Sequence, residues 1–308
     1  KRFPPGRGLV RPRHSCSKSG LAIPYRALSK EEFPSQLREI PQPPKTLFLA
    51  GELPPPETVL LTVVGARKHS PYGREVCETL IAGLAGYDIA IISGLALGID
   101  GVAHEAAMAA GLRTVAVPGS GLDADVLYPR SHLGLARRIL THGGALLSEY
   151  ADTKAAPWMF PERNRIMAGL ARATLVIEAE EKSGTLITAR MATDYNRDVF
   201  AVPGSIFSSL SQGPNKLITL GAAPIRSSAD ILHALGFTED DTTSEQLVFD
   251  WSGLPEVERK VMEALSVPKR RDLLIEELAL PVSAGNILLM KMEIAGLITE
   301  TPSGIRRS

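Results

Sequence analysis

The sequence predicts an α/β protein whose main domain is built on a doubly wound, mostly parallel β-sheet. From residue 58 onward, short apolar runs alternate with helical stretches, which is typical of βαβ units. Glycines and hydroxyl residues follow these apolar runs, where a strand would turn into a helix. With 308 residues, of which 44% are hydrophobic, the chain can bury a large core.

The pattern predicts six strands and five helices in this domain. Right-handed crossovers between parallel strands would gather the loops at the carboxyl ends of the strands. The predicted strands span residues 58–64, 88–92, 113–117, 145–148, 174–177 and 198–202. The predicted helices span residues 72–85, 101–110, 131–141, 164–171 and 185–195.

Composition divides the chain into four parts. Residues 1–57 are rich in Pro and Arg and are predicted to form an N-terminal arm, and residues 58–237 form the main domain. Residues 238–252 are predicted to be an acidic linker, and residues 253–308 a small winged-helix domain with three helices and a two-stranded wing. The third of these helices has few charges, so a protein-contact or structural role is favoured over DNA reading.

The charges exclude a global attraction to nucleic acid. Lys and Arg together number 34, as do Asp and Glu, so the net charge is zero and any contact with a polyanion must be local. No apolar stretch approaches the roughly 20 residues of a membrane span, and no signal peptide is evident, so a cytoplasmic protein is expected. Cys16 and Cys77 lack the spacing of a disulfide framework or a zinc site, and no metal is predicted.

Loops at the predicted strand ends have the composition of an anion-binding site. Glycine lets the backbone approach a ligand, and the N-terminus of the following helix attracts negative charge. Arg67 offers a bidentate fork for a phosphate, and Ser93 offers a hydroxyl donor. The candidate binding residues of the first three loops are Gly65, Arg67, Ser93, Gly94, Gly98, Asp100, Gly119 and Gly121.

The fourth part of the predicted site has two halves. Arg163, Asn164 and Arg165 would stand at the start of a helix, where the dipole repels cations, so a bound anion is favoured. The alternative, that the two arginines pair with carboxylates such as Glu149, stays open. The second half contributes Lys182, Ser183, Gly184 and Thr185.

These loops carry no catalytic constellation. The sequence has no GxSxG elbow, no Walker A motif, and no Cys with a His partner at a recognisable spacing. A glycine-rich site with phosphate-binding cations but no nucleophile indicates binding rather than turnover. No cofactor is expected.

In their order along the chain, the motifs resemble the DNA-processing protein A family, also called DprA or Smf. The resemblance rests on Gly65-Ala66-Arg67, the segment 93–100, Phe160-Pro161 with Arg163-Asn164-Arg165, and Ser183-Gly184-Thr185. It implies an extended Rossmann-like domain that binds single-stranded DNA, forms a homodimer and helps to load the RecA recombinase in natural transformation. It also implies that Arg67 contacts DNA phosphate, that segment 93–100 lines the pocket floor, and that residues 163–165 and 182–185 complete its wall.

Two other functions stay open. One is a nucleotide-binding enzyme of a related Rossmann-like fold, of the nucleoside-monophosphate phosphoribohydrolase type, although the Pro-Gly-Gly-x-Gly-Thr-x-x-Glu motif of those enzymes is not present. The other is a double-strand DNA binder that reads sequence with its winged helix, against which the charge-poor third helix argues. The apolar candidates for a dimer interface are Leu210, Leu217, Ile218 and Leu220.

Overall fold

The computed structural model describes residues 22–238, 255–265, 269–301 and 304–307. The chain divides into two compact units, one up to Ser244 and one after it. The strands of the first unit are β1 (Arg26–Ala27), β2 (Phe48–Gly51), β3 (Val59–Val64), β4 (Ile89–Ser93), β5 (Thr114–Ala116), β6 (Ala145–Ser148), β7 (Ala173–Val176), β8 (Asp198–Ala201) and β9 (Ala223–Pro224). They form one sheet in the order β1-β2-β6-β5-β4-β3-β7-β8-β9, parallel from β6 to β9 and antiparallel at β1 and β2.

Helices connect these strands and cover both faces of the sheet. All six predicted strands are confirmed within one residue of their predicted bounds, and four of the five predicted helices begin within two residues of the predicted start. The exception is the helix predicted from residue 164, which begins at Met159. The helices are α1 (Ser35–Arg38), α2 (Pro71–Ala82), α3 (Ile99–Ala109), α4 (Leu133–Thr141), α5 (Met159–Leu170), α6 (Gly184–Asp194), α7 (Gln212–Thr219) and α8 (Ser228–Leu235).

Residues 22–57 belong to the sheet and do not form an arm. β2 pairs antiparallel with β6, and β1 pairs with β2. Leu28, Phe33 and Leu37 are buried against this edge of the core. The boundary predicted after this segment is therefore wrong, because its strands and helix are too short to show a hydrophobic period. Residues 1–21 lie outside the described part of the chain.

The core lies on both faces of the parallel strands. On β3, Leu61 and Val63 pack with α2 and α3, whereas Val64 packs on the other face with α5. A strand buried on both faces has a continuous apolar sequence, which explains why these strands were predictable. The strand order reverses between β3 and β7, so the loops after these two strands diverge and leave a crevice.

In its described residues, the second unit contains three helices and a two-stranded antiparallel sheet. The helices are α9 (Glu256–Ala264), α10 (Arg271–Glu277) and α11 (Val282–Ile294), and the strands are β10 (Ile298–Thr301) and β11 (Gly304–Arg307). These elements follow the order predicted for a winged helix, and that assignment stays a prediction. Residues 239–252 of the predicted acidic linker lie outside the described residues. No single described helix is long and apolar enough to cross a membrane, and only the bent pair α10 and α11 passes that test, by length and composition alone.

Candidate functional site

A cavity of about 440 Å³ opens where the strand order reverses, at the carboxyl ends of β3 and β7. Doubly wound sheets bind their ligands in this crevice. A small recess beside the cavity shares Arg67 and Phe160 with it, and it is also lined by Gly94 and Gly119. The predicted site residues that line the cavity itself are Gly65, Arg67, Asp100, Arg163, Asn164, Ser183, Gly184 and Thr185.

Two cations stand on the loop after β3, at the mouth of the cavity. Arg67 and Lys68 are exposed, and neither forms an ion pair with a carboxylate among the described residues, although the charge of Arg67 acts on the buried Asp100 and opposes the rise of its pKa. The guanidinium carbon of Arg67 lies 5.2 Å from the ring centroid of Phe160, within the range of a cation–π contact. The Phe160 ring in turn meets the edge of Tyr128, with 5.9 Å between the two centroids. This wall therefore combines unpaired positive charge with an aromatic surface.

The floor of the cavity is held by Asp100 and Arg163. Asp100 Oδ2 accepts hydrogen bonds from the backbone N–H groups of Gly94 at 3.1 Å and Ala96 at 3.3 Å. Arg163 Nη1 donates to the carbonyl oxygens of Gly94 and Val117. The loops after β4 and β5 are thereby tied to α5.

Both of these charged side chains are almost completely buried, at 5% exposure for Asp100 and 7% for Arg163. Burial raises the pKa of Asp100, although the charge of Arg163 and the two backbone N–H groups oppose the rise. Burial lowers the pKa of Arg163 to about 10, and the charge of Asp100 limits the fall. Arg163 stays protonated at neutral pH and holds loops together, so it is not a free cation at the mouth of the cavity.

The opposite wall is the turn that leads into α6. Ser183 caps this helix and accepts from the N–H of Thr185 at 3.1 Å. Thr185 donates its hydroxyl to the carbonyl of Gly65 at 3.1 Å, which fixes this turn to the loop after β3. A Cβ at Gly184 would meet no atom within 4 Å, so the first turn of α6 is open to a ligand. Lys182 is exposed and has no ion-pair partner in the described part of the chain.

The other five predicted glycines all make room for the protein itself. At five positions a Cβ would stand closer than 3.0 Å to a protein atom, and Gly98 also has a φ of +82°, in the region that favours glycine. Close packing between loops is therefore sufficient to require glycine at these positions, and their role in binding a ligand stays a prediction. The groups that a Cβ would strike are Ile99 at Gly65, Arg163 at Gly94, the Ala66 carbonyl at Gly98, Phe160 at Gly119 and the Ala151 backbone at Gly121.

Ser93 and Arg165 lie outside the cavity because their polar groups have internal partners, whereas Lys182 is next to the lining residue Ser183 without lining the cavity itself. Ser93 is fully buried and donates its hydroxyl to the carbonyl of Val63 at 2.7 Å. Arg165 Nη2 donates to both carboxylate oxygens of Glu149, at 2.5 and 2.7 Å, and Nη1 donates to the carbonyl of Gln42 at 2.7 Å. The alternative of internal pairing is therefore confirmed for Arg165.

The position at which α5 begins also removes the argument, based on the helix dipole, that an anion binds beside Arg163 and Arg165. The helix begins at Met159, with Pro161 in its first turn, where the missing N–H has no intrahelical partner to lose. Arg163 and Arg165 lie further along the helix, beyond the reach of the repulsion at its N-terminus.

The N-terminus of α2 is occupied by a carboxylate of the protein. Glu178 is buried and accepts from the N–H of Ser70 at 2.9 Å and from its hydroxyl at 2.5 Å. Gly73 permits this approach, since a Cβ there would stand 2.2 Å from Glu178 Oε2. In dinucleotide-binding folds, the pyrophosphate binds at the corresponding helix terminus. In this cavity the open helix terminus is instead that of α6.

Eleven residues that line the cavity were not assigned to the site from the sequence, among them Lys68, Phe160, Glu180 and Leu210. Lys68 directly follows Arg67, and Phe160 belongs to the Phe-Pro pair of the fourth motif, so both had a neighbouring signal. Leu210 comes from the loop after β8, which carries no charged or glycine-rich motif around it that would have indicated the site.

Titratable groups away from the cavity are mostly internal. In the described part of the chain, no group of three or more His, Cys, Asp or Glu side chains is placed to hold a metal ion. Cys77 is buried, and burial raises the pKa of its thiol. His104 is also buried, and burial lowers its pKa to about 3. Neither residue lines the cavity.

A doubly wound sheet with a cationic cavity at the reversal of its strand order defines a Rossmann-like protein with a site suited to an anionic ligand. Residues 25–236, well over half of the chain, match the family model described as DNA recombination-mediator protein A. The chain belongs to this family of DNA-processing recombination mediators, as its motifs predicted.

Relatives and solved structures agree with this membership. Protein Smf of Escherichia coli is 38% identical over 295 residues, which cover 90% of this chain and 75% of that protein. DNA processing protein DprA of Bacillus subtilis is 41% identical over 214 residues, covering 68% and 70%. The X-ray structure of DprA from Streptococcus pneumoniae matches with a TM-score of 0.64 at 40% identity, covering 70% of this chain and 75% of that one. DprA from Helicobacter pylori, whose structure addresses a single-stranded DNA binding mode, matches with a TM-score of 0.61 at 28% identity, covering 68% and 95%.

Proposed function

We propose that this protein binds single-stranded DNA in the cavity at the reversal of the strand order. The observation that carries the proposal is a group of cations without ion-pair partners among the described residues: Arg67 and Lys68 line the cavity, and Lys182 directly precedes the lining residue Ser183. Such cations follow a phosphate backbone without reading its sequence. The structure of the related Helicobacter pylori protein, which concerns single-stranded DNA binding, supports the same class of ligand here.

The aromatic wall supplies the second part of this binding. Phe160 is half-buried against Arg67 and Tyr128, so its ring is fixed in place while part of it stays accessible. A base can stack on such a ring whatever its identity, because every base has a π face. The open first turn of α6 at Gly184 leaves room for a phosphate close to backbone N–H groups.

Binding of oligothymidine at low salt tests this proposal. We expect Arg67→Ala to weaken binding by about tenfold, because a charged hydrogen bond to phosphate is lost. Arg113→Ala is the matched control, since Arg113 is also exposed but precedes β5, at the opposite end of that strand from the cavity. Equal affinity of the Arg67→Ala variant and the wild type would contradict the assignment of the cavity.

We further propose that the cavity binds DNA without catalysis. The nucleotide enzyme is the competing function, and incubation with AMP followed by detection of free adenine separates the two. We expect no release of adenine. Release at rates on the order of 1 s⁻¹ or more, which is usual for enzymes, would favour the enzyme instead.

We propose a homodimer formed through α6 and α7. A groove of about 630 Å³ lies along these helices, its lining includes Leu186, Leu217 and Leu220, and Leu220 is 75% exposed. The lining also contains charges of both signs, on Arg190, Asp194, Arg197, Asp198 and Lys216, and exposed apolar residues mixed with complementary charges suit an interface between two copies of a chain. Leu210, another apolar candidate, lines the DNA cavity instead. Light scattering is expected to give a dimer for the wild type and a monomer for Leu220→Arg, and a monomeric wild type would contradict this part of the proposal.

We propose a RecA recombinase as the protein partner, with both proteins acting in the cytoplasm on incoming single strands that this protein also shields from nucleases. The support is family membership alone. RecA assembly on single strands already covered by a single-strand-binding protein tests the proposal, because a mediator should shorten its lag. An unchanged lag would count against RecA loading.

A further inference from the structure

Two apolar side chains stand exposed on a turn that follows β8. Ile206 is 78% exposed and Phe207 is 93% exposed, so the two adjacent side chains form a small apolar patch. The turn comprises residues 205–208 and is closed by the N–H of Ser208, which donates to the carbonyl of Ser205 at 3.0 Å. Every other residue of this turn is a serine, so it carries no charge.

The turn is held firmly at both ends. On one side, the Tyr72 hydroxyl donates to the carbonyl of Pro203 at 2.9 Å, and the amide of Asn215 donates to the carbonyl of Gly204 at 3.0 Å. On the other side, the carbonyl of Leu210 accepts from the N–H of Ala179 at 2.7 Å. The two apolar side chains are therefore presented on an anchored support, which lowers the entropy that a binding partner must overcome.

The anchored turn is connected along the chain to the wall of the DNA cavity. Leu210, three residues after Phe207, lines the cavity itself. β8 runs parallel to β7, so the turn and the cavity wall at residues 178–185 emerge from the same edge of the sheet. A strand that leaves the cavity past Leu210 would therefore come close to the turn.

We infer that Phe207 is a second stacking platform, which takes a base of the single strand after it leaves the cavity. This inference rests on the proposed function. Phe207 offers a flat ring without charge, and single-strand sites commonly combine such rings with cations that follow the backbone. A contact between copies of the chain is the competing use of this ring, and the oligomeric state of Phe207→Ala separates the two.

A length series of oligothymidines tests the inference. For the shortest oligomer that the wild type binds, we expect Phe207→Ala to bind as tightly as the wild type. For longer oligomers, we expect about tenfold weaker binding by Phe207→Ala, since one stacked base is lost. Because Phe207 is almost fully exposed, the substitution leaves the core intact, and equal unfolding midpoints will verify this.

Two further variants separate base stacking from apolar docking. Phe207→Tyr keeps the ring and should bind long oligomers like the wild type, whereas Phe207→Leu keeps the apolar character without the ring and should behave like Phe207→Ala. Restored binding by Phe207→Leu, or unchanged binding by Phe207→Ala at every length, would overturn the inference. A shift in oligomeric state with unchanged affinity for DNA would also overturn it, in favour of a contact between copies.

Arg67→Ala distinguishes a failure of this inference from a failure of the proposed function. This variant should lose affinity for oligomers of every length, because Arg67 belongs to the cavity. If Arg67→Ala binds weakly while Phe207→Ala binds normally, the cavity assignment holds and the second platform is refuted. If neither substitution has an effect, the cavity assignment itself fails.

Discussion

Asp100 and Arg163 hold Gly94 from opposite ends of the residue, the carboxylate accepting its N–H and the guanidinium donating to its carbonyl. A Cβ at position 94 would stand 2.1 Å from Arg163 Nη1 and 2.6 Å from Asp100 Oδ2, so the two side chains can flank only a glycine. This arrangement explains why the sequence combines Gly94 with Asp100 and with Arg163, which lies 69 residues further along the chain. Together, Asp100 and Arg163 hold the floor of the cavity.

Loss of the arginine should destabilise the protein strongly. We expect Arg163→Met to lower the free energy of unfolding by about 3–5 kcal/mol, because it leaves Asp100 buried without its counter-charge and two carbonyls without their donor. Urea unfolding measures this loss. In the double variant with Asp100→Asn, the loss should be smaller than the sum of the two single losses. Strictly additive losses would show that the two side chains act independently.

Arg165 should behave differently from Arg67 despite its place in the same motif as Arg163. Its ion pair with Glu149 is almost buried, with about a tenth of each side chain exposed. We expect Arg165→Gln to lower the free energy of unfolding by roughly 2 kcal/mol, since Glu149 loses its partner. The affinity of the folded variant for oligothymidine should equal that of the wild type. Weaker DNA binding at unchanged stability would place Arg165 in the DNA site after all.

Substitutions at Gly98 and Gly184 should distinguish a glycine that folding requires from a glycine that DNA binding requires. Gly98→Ala should lower the free energy of unfolding by about 1–3 kcal/mol, because φ is +82° and a Cβ would stand 2.2 Å from the Ala66 carbonyl. Gly184→Ala should keep or slightly raise the stability, because its Cβ would meet open space. We expect the second variant to bind oligothymidine more weakly, since the methyl group occupies the approach to α6. Unaltered binding by Gly184→Ala would exclude a phosphate there.

His104 should make folding sensitive to acid. Its Nδ1 lies 2.7 Å from Thr114 Oγ1, whose hydroxyl donates to the carbonyl of Ile91, so Nδ1 carries the proton and donates. Nε2 is buried and has no hydrogen-bond partner among the described residues. Burial, with His132 and Arg163 facing the ring, lowers the pKa of His104 to about 3 from its ordinary 6.5.

The unfolded chain therefore binds a proton on His104 below about pH 6.5, whereas the folded protein does not until about pH 3. Stability is lost as the pH falls through this window, by up to about 1.4 kcal/mol per pH unit from this residue. We expect urea midpoints between pH 7 and pH 4.5 to fall less steeply for His104→Leu than for the wild type. Identical slopes would show that another group dominates the acid sensitivity.

The parallel strands could be predicted from the sequence because they lie in the core of the protein. Strands such as β3 and β4 are covered on both faces, so their sequences are continuous apolar runs that need no knowledge of their partners. Strand β2 was not predicted, because it lies in a Pro-rich segment and pairs antiparallel with β6, almost a hundred residues later. Short segments with distant partners lack a local signal.

Only part of the cavity lining was predicted from the sequence. A sequence shows which groups can bind an anion but not which of them the fold itself uses. Ser93, Asp100 and Arg165 all have suitable chemistry, and the structure gives each an internal partner. Arg67 and Lys182 have the same kind of chemistry and stay unpaired among the described residues. Only the three-dimensional arrangement separates the two groups.

The salt dependence of oligothymidine binding tests the central claim most directly, because it counts the cations that meet phosphate. For the wild type, the logarithm of the association constant should fall linearly with the logarithm of the salt concentration. In Arg67→Ala combined with Lys182→Ala, the slope should be smaller by about 1.4, since each phosphate contact with single strands contributes about 0.7. The Arg113→Ala control should keep the slope of the wild type. An unchanged slope and affinity in the double variant would contradict the claim that this cavity holds single-stranded DNA.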